Sequence, residues 1–591
     1  MRLETFLLGW LWTFPHYWPI GNPQSTIADA VSRYQLSIEV LPRMKRPLAI
    51  LLCLFFASLI AIAQSSDPEE AFRRPRPRPD TRIKQDLTEA LTVIQQNYVG
   101  HQLDYNELFK SSFQGMLRAL DPHSNYFDKK EFDEQQAAWS RSEYYGIGAS
   151  IAERRMNGDK SDTYVLSTFD QSPAFRAGLR YGDRIVAING KSTIGQTSTE
   201  VRDQLRGPRG TTVRVTVERA SNGTRETFEI MRDAVPQPTV PDVYLLRPGI
   251  GYVDMTRGFN RSTGDEFVSA LQILKEQGAT SIILDLRNNS GGFIVEAIRV
   301  AERFLASGQR VVDQRGSGPM SGGARIYNST NRNPETFPLT VLINRATASA
   351  AEIVAGALQD QDRALIVGET SFGKGLVQTI FPLESGGGLT LTTARYHTPS
   401  GRVIQRDYTN TSTYDYLSQG GIGARDKRNT PKGPASRTAG GRLVYGGGIT
   451  PDDVGIVEPR IFSNTQQRLI HPVFGFVREA ISGRLPGFEN LKVTRMPDFS
   501  HGLDASELVV DNRLFDLFKQ YVAKNRETYR FSDALLERQR DFLKRQIRYD
   551  LAVAAYGIVK AQRVFVADDP QVLKAIELVP QARDLSRASR L

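Results

Sequence analysis

Apolar residues recur every three or four positions in two parts of the chain, one before residue 143 and one beyond residue 455. The first includes DLTEALTVIQQNYV and YNELFKSSFQGMLRAL, and the second includes NRLFDLFKQYVAKN and RDFLKRQIRYDLAVAAYGIVKAQ. This spacing is typical of amphipathic helices, which turn one apolar face toward a core. We therefore predict helical regions at 83–142 and 456–591, and we expect the second to pack onto the rest of the protein. Within the first region, 120–134 (LDPHSNYFDKKEFDE) reads as a turn with helix-start signals.

Between these helical regions the pattern changes to short β-rich runs. ASIAE, TYVLSTF, RIVAING, TVRVTVER and RETFEIMR are each closed by Gly, Asn or Pro, which predicts a small β-rich domain at 143–235. Inside it, SPAFRAGLRYGDRIVAING (172–190) has a helix start at Ser172 and a glycine stop at Gly178. The same stretch then turns at Gly182 and enters a strand.

From about residue 240 buried strands alternate with helices. Runs such as SIILDL, LTVLIN and ALIVGE are separated by helical patterns, which indicates strands buried on both faces and hence an α/β layer structure. We predict an α/β core at 236–455. Residues 409–447, rich in Gly, Ser, Thr, Arg and Lys, interrupt it, and we expect them to form a mobile surface insertion.

The N-terminal segment carries an export signal by pattern. Two basic residues after Met44, an apolar run and a small-x-small site predict a signal peptide at 44–63. A membrane anchor is the alternative, although the run is shorter than the roughly 20 residues that a spanning helix needs. Residues 1–43 lack any export pattern, so we expect Met44 to be the true start; 64–82 read as an extended Pro/Arg-rich linker.

Composition narrows the functional classes. The chain has 591 residues, too many for one core, and its 40% hydrophobic and 24% charged content is ordinary for a globular protein. The net charge of +10 falls partly near the N-terminus, and no basic patch with interleaved aromatics suggests nucleic acid. The single cysteine, Cys53, lies in the signal, and the six histidines lack metal-ligand spacing. We expect no cofactor and no metal.

Two strand-to-helix or strand-to-turn corners carry candidate chemistry. A serine, Ser349, opens the helix that follows LTVLIN, where free N–H groups suit a nucleophile, although an ordinary N-cap serine is the alternative. A lysine, Lys374, stands between two glycines after ALIVGE, where burial would lower its pKa and make it a base. A surface lysine lying along apolar neighbours is the alternative.

A third turn follows another buried strand. LDLRNNSGG (284–292) ends in two glycines, which allow a backbone to approach a ligand and to donate N–H groups. A tight turn without any function is the alternative reading.

Together these segments resemble a known family. LDLRNNSGG, ATASAAEIVAGALQD, VGETSFGKGLVQ and TPSGRVIQ, over about 85–405 and again at GGGITPD (446–452), are similar to the carboxyl-terminal processing peptidases. The resemblance implies a multidomain α/β protein: a ClpP/crotonase-like protease core, an inserted β-rich PDZ domain, and helical N- and C-terminal regions. It also implies a serine endopeptidase with a Ser–Lys dyad.

The resemblance assigns roles at the two corners. Ser349 matches the nucleophile and Lys374 the general base, 25 residues later, while Gln378, expected one helical turn after the lysine, matches the residue that orients it. Gly292 and Ala350 match the two backbone donors of the oxyanion hole. The chain departs from the usual ASAS pattern at Ala351, which is not a reacting position.

The same resemblance assigns a binding loop to the β-rich domain. YGIG, residues Tyr145, Gly146, Ile147 and Gly148, matches the loop whose N–H groups hold a terminal carboxylate while the peptide pairs with the next strand. Protein or peptide substrates with free C-terminal tails are the expected partners, and the domain is expected to gate the active site.

Other interpretations stay open at this point. A catalytically idle tail-binding adaptor would share the PDZ domain, and a crotonase-like acyl-CoA enzyme would share only the layered core. An exported chain without disulfides fits a bacterial periplasm or the inner-membrane surface. The sequence leaves open an adaptor protein as a partner, membrane association through an uncleaved signal, and a homodimer.

Overall fold

A computed structural model describes nine stretches of the chain. They are residues 81–100, 103–140, 143–157, 160–316, 318, 323–409, 411–418, 433–455 and 462–588. The expected N-terminal extension (1–43), the signal peptide (44–63) and the linker up to residue 80 lie outside these described residues. No helix among the described stretches is both long and apolar enough to cross a membrane.

Residues up to Tyr98 form one unit, and residues from Val99 onward form a second. The described part of the first unit is helix α1 (Thr81–Asn97), which begins two residues inside the predicted linker. Its apolar residues are exposed within this unit, and they include Leu87, Leu91 and Ile94.

The second unit begins with the rest of the predicted N-terminal helical region. It contains α2 (Tyr105–Arg118), β1 (Asn125–Phe127) and α3 (Lys129–Ser140). Asp104 caps α2 by accepting from the N–H groups of Asn106 and Glu107. Strand β1 pairs antiparallel with a strand of the core, with Asn125 opposite Thr390. This pairing holds the preceding turn, 121–124, against the core.

The β-rich domain follows, and its elements run from residue 143 to residue 236. They are β2 (Glu143–Gly146), β3 (Ala149–Asn157), β4 (Lys160–Thr168), α4 (Pro173–Ala177), β5 (Arg184–Ile188), β6 (Lys191–Ser192), α5 (Ser198–Leu205), β7 (Thr212–Glu218), β8 (Arg225–Met231) and β9 (Asp233–Pro236).

Its sheet has the order β3-β4-β5-β7-β8, with β6 beside β5, so that β3 lies at one edge. As the sequence predicts, Ser172 caps α4 and Gly178 ends it in the left-handed region, at φ 85°. Alternate residues of β7, among them Val213, Val215 and Val217, are buried in the domain's own core.

The α/β core contains two sheets. Its elements are β10 (Val243–Arg247), β11 (Ile250–Asp254), α6 (Thr263–Glu276), β12 (Ser281–Asp285), α7 (Ile294–Glu302), β13 (Arg310–Arg315), β14 (Arg325–Asn328), β15 (Leu339–Ile343), α8 (Ala350–Asp360), β16 (Leu365–Gly368), β17 (Leu376–Pro382) and β18 (Gly388–His397).

The first core sheet has the order β10-β11-β12-β15-β16, in which β11, β12, β15 and β16 are parallel. Strands β12 and β15 are buried at every residue, which explains their continuous apolar runs. Because the strands are parallel, the turns after β12, β15 and β16 emerge at the same edge of the sheet. The second sheet has the order β1-β18-β13-β14, with β17 beside β18.

The predicted insertion is folded where the structure describes it. It forms α9 (Thr413–Ser418), β19 (Ala435–Arg437) and β20 (Leu443–Tyr445). Arg442 forms ion pairs with Asp362 and Asp452, and Tyr416 and Val444 are buried. The insertion therefore has secondary structure and is anchored to the core within 411–418 and 433–447, while its surface position agrees with the prediction and its mobility stays a prediction.

The C-terminal region is helical, as predicted. Its helices are α10 (Asn464–Ile481), α11 (Asn512–Lys524), α12 (Arg526–Tyr529), α13 (Asp533–Arg538), α14 (Arg540–Ala561, broken at Gly557), α15 (Arg563–Val566), α16 (Pro570–Glu577) and α17 (Val579–Ala588).

These helices contact two other parts of the second unit. Tyr164 and Tyr181 of the β-rich domain pack with Phe474 of α10 in one buried cluster, at ring separations of 5.1 and 5.2 Å. Val572 and Ala575 of α16 pack against the first core sheet. The C-terminal region therefore joins the β-rich domain to the α/β core through apolar contacts.

Candidate active site

Ser349 lies at the corner between β15 and α8, directly before the first residue of the helix. Its backbone has φ 56° and ψ −119°, a conformation that residues other than glycine seldom adopt. Such strain persists only where the surroundings hold the backbone in place, and it is concentrated at functional sites. The side chain is half-buried.

Lys374 lies in the turn between β16 and β17. The N–H of Phe372 donates to the carbonyl of Thr347 at 2.8 Å, so the lysine turn is bonded directly to the serine corner. Burial lowers the pKa of Lys374, and the carboxylates of Glu352 and Asp121 act in the opposite direction. Burial has the larger effect, and the lowered pKa fits a lysine that is neutral more readily than a surface lysine.

Glu352 joins the two corners. One carboxylate oxygen accepts from the N–H groups of Ser349 and Lys374, each at 2.8 Å. The other accepts from the N–H of Gly373 at 2.7 Å and from the Ser371 hydroxyl. Two nitrogens that each lie 2.8 Å from one oxygen cannot be farther apart than twice that distance. The backbones of Ser349 and Lys374 are therefore neighbours.

Glu352 is fully buried, and burial raises its pKa while its four donors act to lower it. Glu352 is not among the site residues predicted from the sequence. Its position three residues after a helix-opening serine is a capping-box pattern, which is the signal that could have indicated it.

The backbones of Ser349 and Lys374 are neighbours, but their side chains are not joined by a hydrogen bond. The structure has no hydrogen bond between Ser349 Oγ and Lys374 Nζ. Catalytic hydrogen bonds are often absent before substrate binds and form only in the reacting complex. The described geometry therefore gives the backbones of the two corners as neighbours.

The glycine turn after β12 lies against the serine corner. The N–H of Ala348 donates to the carbonyl of Asn289 at 2.9 Å. A Cβ placed on Gly291 would lie 2.7 Å from Ser349 Cβ and 2.9 Å from the nitrogen of Ala350, so only glycine fits there. Gly292 has φ 145°, and a Cβ there would lie 2.0 Å from the carbonyl oxygen of Phe259. The turn therefore places Gly291 against Ser349 and Ala350, and Gly292 is the next residue in the chain.

Gln378 is not on a helix. It lies on β17, opposite Thr392 of β18, and its amide donates to the Thr392 hydroxyl at 3.3 Å. The expectation of one helical turn between Lys374 and Gln378 is therefore wrong, because the turn feeds directly into a strand. LVQTIF contains Val, Thr, Ile and Phe, which favour strands.

Two further side chains near the lysine turn come from 120–134, which the sequence predicts only as a turn with helix-start signals. His123 faces Lys374, and its pKa is lowered to about 4 by burial and by the nearby lysine. Asp121 holds this loop by accepting from the N–H of His123 and from Ser124. No local pattern could have indicated this meeting, because His123 and Lys374 are far apart in sequence.

The expected tail-binding loop lies in the β-rich domain at the start of edge strand β3. Tyr145 and Gly146 belong to β2, opposite Ala234 and Asp233 of β9. The loop beyond them is bonded to α4, because the carbonyl of Ile147 accepts from the N–H of Ala174 at 2.7 Å.

Gly148 completes this loop. It has φ 74°, and its carbonyl accepts from the Ser172 hydroxyl at 2.8 Å. The loop and the edge strand therefore have the arrangement that strand addition by a peptide requires.

Comparison with known proteins identifies two families in the chain. The pattern of Peptidase family S41 matches residues 249–412, and that of the PDZ domain matches 170–219. A carboxy-terminal-processing protease of Bartonella bacilliformis is 38% identical over 309 residues, 51% of this chain and 68% of that protein. The carboxy-terminal processing protease CtpA of Bacillus subtilis is 33% identical over 324 residues, 54% of this chain and 66% of that protein.

A solved photosystem II D1 C-terminal processing protease has 31% sequence identity, covers 53% of this chain and 83% of that chain, and has a TM-score of 0.32. The family matches confirm the peptidase core and the PDZ domain of the predicted fold class, and the described helices confirm its helical terminal regions, so the chain is a multidomain α/β protein. The resemblance seen in the motifs is confirmed as well. The chain belongs to the carboxy-terminal processing proteases, serine-type peptidases of family S41.

Proposed function

We propose that this protein is an endopeptidase that captures the C-terminal tail of a protein on its PDZ domain and cleaves upstream with a Ser349–Lys374 dyad. The observation that carries the proposal is the bridge made by Glu352. A single buried carboxylate accepts from the N–H groups of both Ser349 and Lys374, which supports proton transfer between their side chains.

In the mechanism that we propose, neutral Lys374 takes the proton of Ser349 Oγ as that oxygen attacks the scissile carbonyl. The N–H groups of Gly292 and Ala350 stabilise the oxyanion of the tetrahedral intermediate. The protonated lysine then gives its proton to the leaving amine, and water resolves the acyl-enzyme with the lysine again acting as base. A cavity of about 200 Å³ lined by Phe259 and Gly291 lies beside the glycine turn and offers room for the chain being cut.

Gln378 has a narrower role in this proposal. Its amide donates to the Thr392 hydroxyl at 3.3 Å, and the N–H of Thr392 donates to Ser124 Oγ at 3.1 Å. Ser124 in turn donates to Asp121, one of the two carboxylates that act on Lys374. We propose that Gln378 orients the lysine from β17, either directly when substrate is bound or through this chain.

Tail capture uses the loop Tyr145–Gly148 and the free edge of β3. The usable edge is short, since the N–H of Arg155 near the end of β3 already donates to His471 Nδ1 of α10 at 3.3 Å. Burial and two arginines lower the pKa of His471 to about 4, so it stays a neutral acceptor. We propose that a tail pairs only with the part of β3 before Arg155. We also propose that this protein is exported to the periplasm and meets its substrates there.

The test is turnover of a protein with an apolar C-terminal tail by purified enzyme. Ser349→Ala and Lys374→Ala should each lower kcat/KM by at least about 10³-fold, while Ser385→Ala, at an exposed hairpin turn, should leave it unchanged. A fluorophosphonate should label a peptide that contains Ser349. Wild-type turnover in Ser349→Ala would refute the dyad, and tail binding without turnover or labelling would favour the idle adaptor.

A further inference from the structure

The insertion helix α9 turns one aromatic side chain into the protein and leaves its other apolar residues outside. Tyr416 is 2% exposed, whereas Tyr414 is 75% exposed and Leu417 is 54% exposed. A six-residue helix has little stability alone, so contacts of its buried residue must hold it in place. Tyr416 is therefore the residue through which α9 is attached.

The ring of Tyr416 closes an aromatic cluster at the lysine turn. It packs edge-on against Phe372 and His123, at centroid separations of 5.5 and 5.4 Å. The guanidinium of Arg406 lies 4.6 Å from its centroid and 4.7 Å from that of Phe372. Phe372 is two residues before Lys374, and His123 faces Lys374. The cluster thus covers the lysine turn on the side of the insertion.

The hydroxyl and the backbone of Tyr416 bond to the residues that hold the lysine turn. The Tyr416 hydroxyl shares a 2.8 Å hydrogen bond with His123 Nε2 and accepts from Gln405 Nε2 at 3.0 Å. Arg406 donates to the Tyr416 carbonyl.

Both partners of Tyr416 in turn bond to glycines that flank Lys374. Gln405 Oε1 accepts from the N–H of Gly375 at 2.9 Å, and the N–H of Arg406 donates to the carbonyl of Gly373 at 2.8 Å. Each glycine beside Lys374 is therefore one residue away from Tyr416 in a chain of hydrogen bonds.

We propose that Tyr416 is a positioning residue for this peptidase: the insertion presses its ring onto the lysine turn and, through Gln405 and Arg406, fixes the two glycines that flank Lys374. The inference rests on the proposed function, since it concerns the base of the same reaction. It assigns to the insertion a part in assembling the active site.

Removal of the ring would admit water to the lysine turn. The charged and titratable groups that face this turn are Glu352 on α8, Asp121 and His123 before β1, and Arg406 after β18. Desolvation is the main cause that lowers the pKa of Lys374, and Glu352 and Asp121 raise it. With less desolvation and both carboxylates retained, the pKa of Lys374 would rise, and a smaller fraction of the amine would be neutral at pH 7.

The experiment compares Tyr416→Ala and Tyr416→Phe with a matched control, Tyr414→Ala, in which an exposed tyrosine of the same helix is removed. kcat and KM are measured from pH 6 to 10. Tyr416→Ala should lose about 10- to 100-fold in kcat at pH 7 with little change in KM, and it should recover part of this loss as the pH rises. Tyr416→Phe, which keeps the ring but loses two hydrogen bonds, should lose less, and Tyr414→Ala should match the wild type.

A second readout does not depend on turnover. Competitive acetylation of amines with acetic anhydride across the same pH range, followed by mass spectrometry of the peptide that contains Lys374, reports the titration of that amine directly. Tyr416→Ala should shift it to higher pH. This measurement distinguishes the two proposals. A wild-type enzyme without turnover refutes the peptidase proposal, whereas an unshifted titration of Lys374 in Tyr416→Ala refutes the role of Tyr416.

Three results would overturn the inference. One is a Tyr416→Ala enzyme with the wild-type pH profile. Another is a rise in activity, which would make Tyr416 a block on the site instead of a support. The third applies if Tyr416→Ala fails to fold by circular dichroism: the decision then rests on Tyr416→Phe, and wild-type kcat in that variant would refute the role of its hydroxyl in fixing the turn.

Discussion

Replacement of Glu352 by glutamine tests whether one carboxylate holds the nucleophile and the base together. The change keeps the size of the side chain and removes its charge, but it turns one oxygen into an NH2 group, which cannot accept. If the NH2 takes the place of the oxygen near Ser371, that hydroxyl can rotate and accept instead, and only the N–H of Gly373 loses its partner. If the NH2 takes the other place, the N–H groups of both Ser349 and Lys374 lose theirs.

The first arrangement is the less costly one, so it sets the expected magnitude. One buried donor without a partner costs about 1–3 kcal/mol of stability, and the lost N–H is the one that precedes Lys374. A displacement of the lysine turn by about 1 Å is enough to lower kcat about 10²-fold. We therefore expect Glu352→Gln to be folded, less stable by about 1–3 kcal/mol, and slower by at least about 10²-fold.

The pH dependence of turnover by Glu352→Gln gives a second, independent test of the bridge. The negative charge of Glu352 raises the pKa of Lys374, so its removal should move the acid limb of kcat/KM to lower pH even as the maximum rate falls. Denaturant unfolding and pH-dependent turnover measure the two effects, with Glu384→Gln on the exposed β17–β18 hairpin as the control. A Glu352→Gln enzyme with wild-type stability and rate would refute the bridge between the two corners.

Two further predictions concern the PDZ domain and the helices that hold it. Burial raises the pKa of Asp550 to about 6, above the unfolded value of 3.8, so its ionisation should remove up to about 3 kcal/mol of stability as the pH rises from 4 through 6. Asp550→Asn, whose amide could bond to the unpartnered Gln546 Oε1, should have a higher melting temperature than the wild type at pH 7.5 but not at pH 4. The control Asp541→Asn, on the same helix, should show no such difference. If Asp550→Asn and the wild type melt at the same temperature at both pH values, the account of Asp550 is wrong. Gly148→Ala, where a Cβ would lie 2.4 Å from Ser172 Cβ, should weaken tail-peptide binding at least about 10-fold by fluorescence anisotropy, whereas Gly223→Ala, at a similar φ of 73° with open space, should not; unchanged binding in Gly148→Ala would remove the loop from the site.

The two corners could be predicted from the sequence because the signals are local. LTVLIN and ALIVGE are continuous apolar runs, and parallel strands must deliver their following turns to one edge of the sheet. Ser349 and Lys374 each lie five residues beyond the end of such a run. That the two corners are neighbours follows from the strand order, which the structure gives as β12-β15-β16.

The contacts that refine the site could not be predicted in this way. Tyr416 is hydrogen-bonded to His123, which lies 293 residues away in the sequence. It belongs to a helix within an insertion whose composition predicts a loop. Nothing local distinguishes Tyr416 from Tyr414, since only the fold decides which of them is buried. A separation of four residues from Lys374 would suit one helical turn, but the β-forming residues around Gln378 favour the strand that the structure has.

The C-terminal helices limit how a PDZ domain could gate this site. Tyr164 and Tyr181 share a buried core with Phe474, and Tyr181 donates to Asp550, so a movement of the PDZ domain alone would expose apolar surface and leave a buried carboxyl with one partner fewer. A gating movement is therefore expected to carry the helices along. The region they belong to reaches the core where Arg287, at the start of the glycine turn, pairs with Asp569 at 2.8 Å. That ion pair joins the C-terminal helices to the turn that continues to Gly291 and Gly292, so a movement of the helices would reach the proposed oxyanion hole through it.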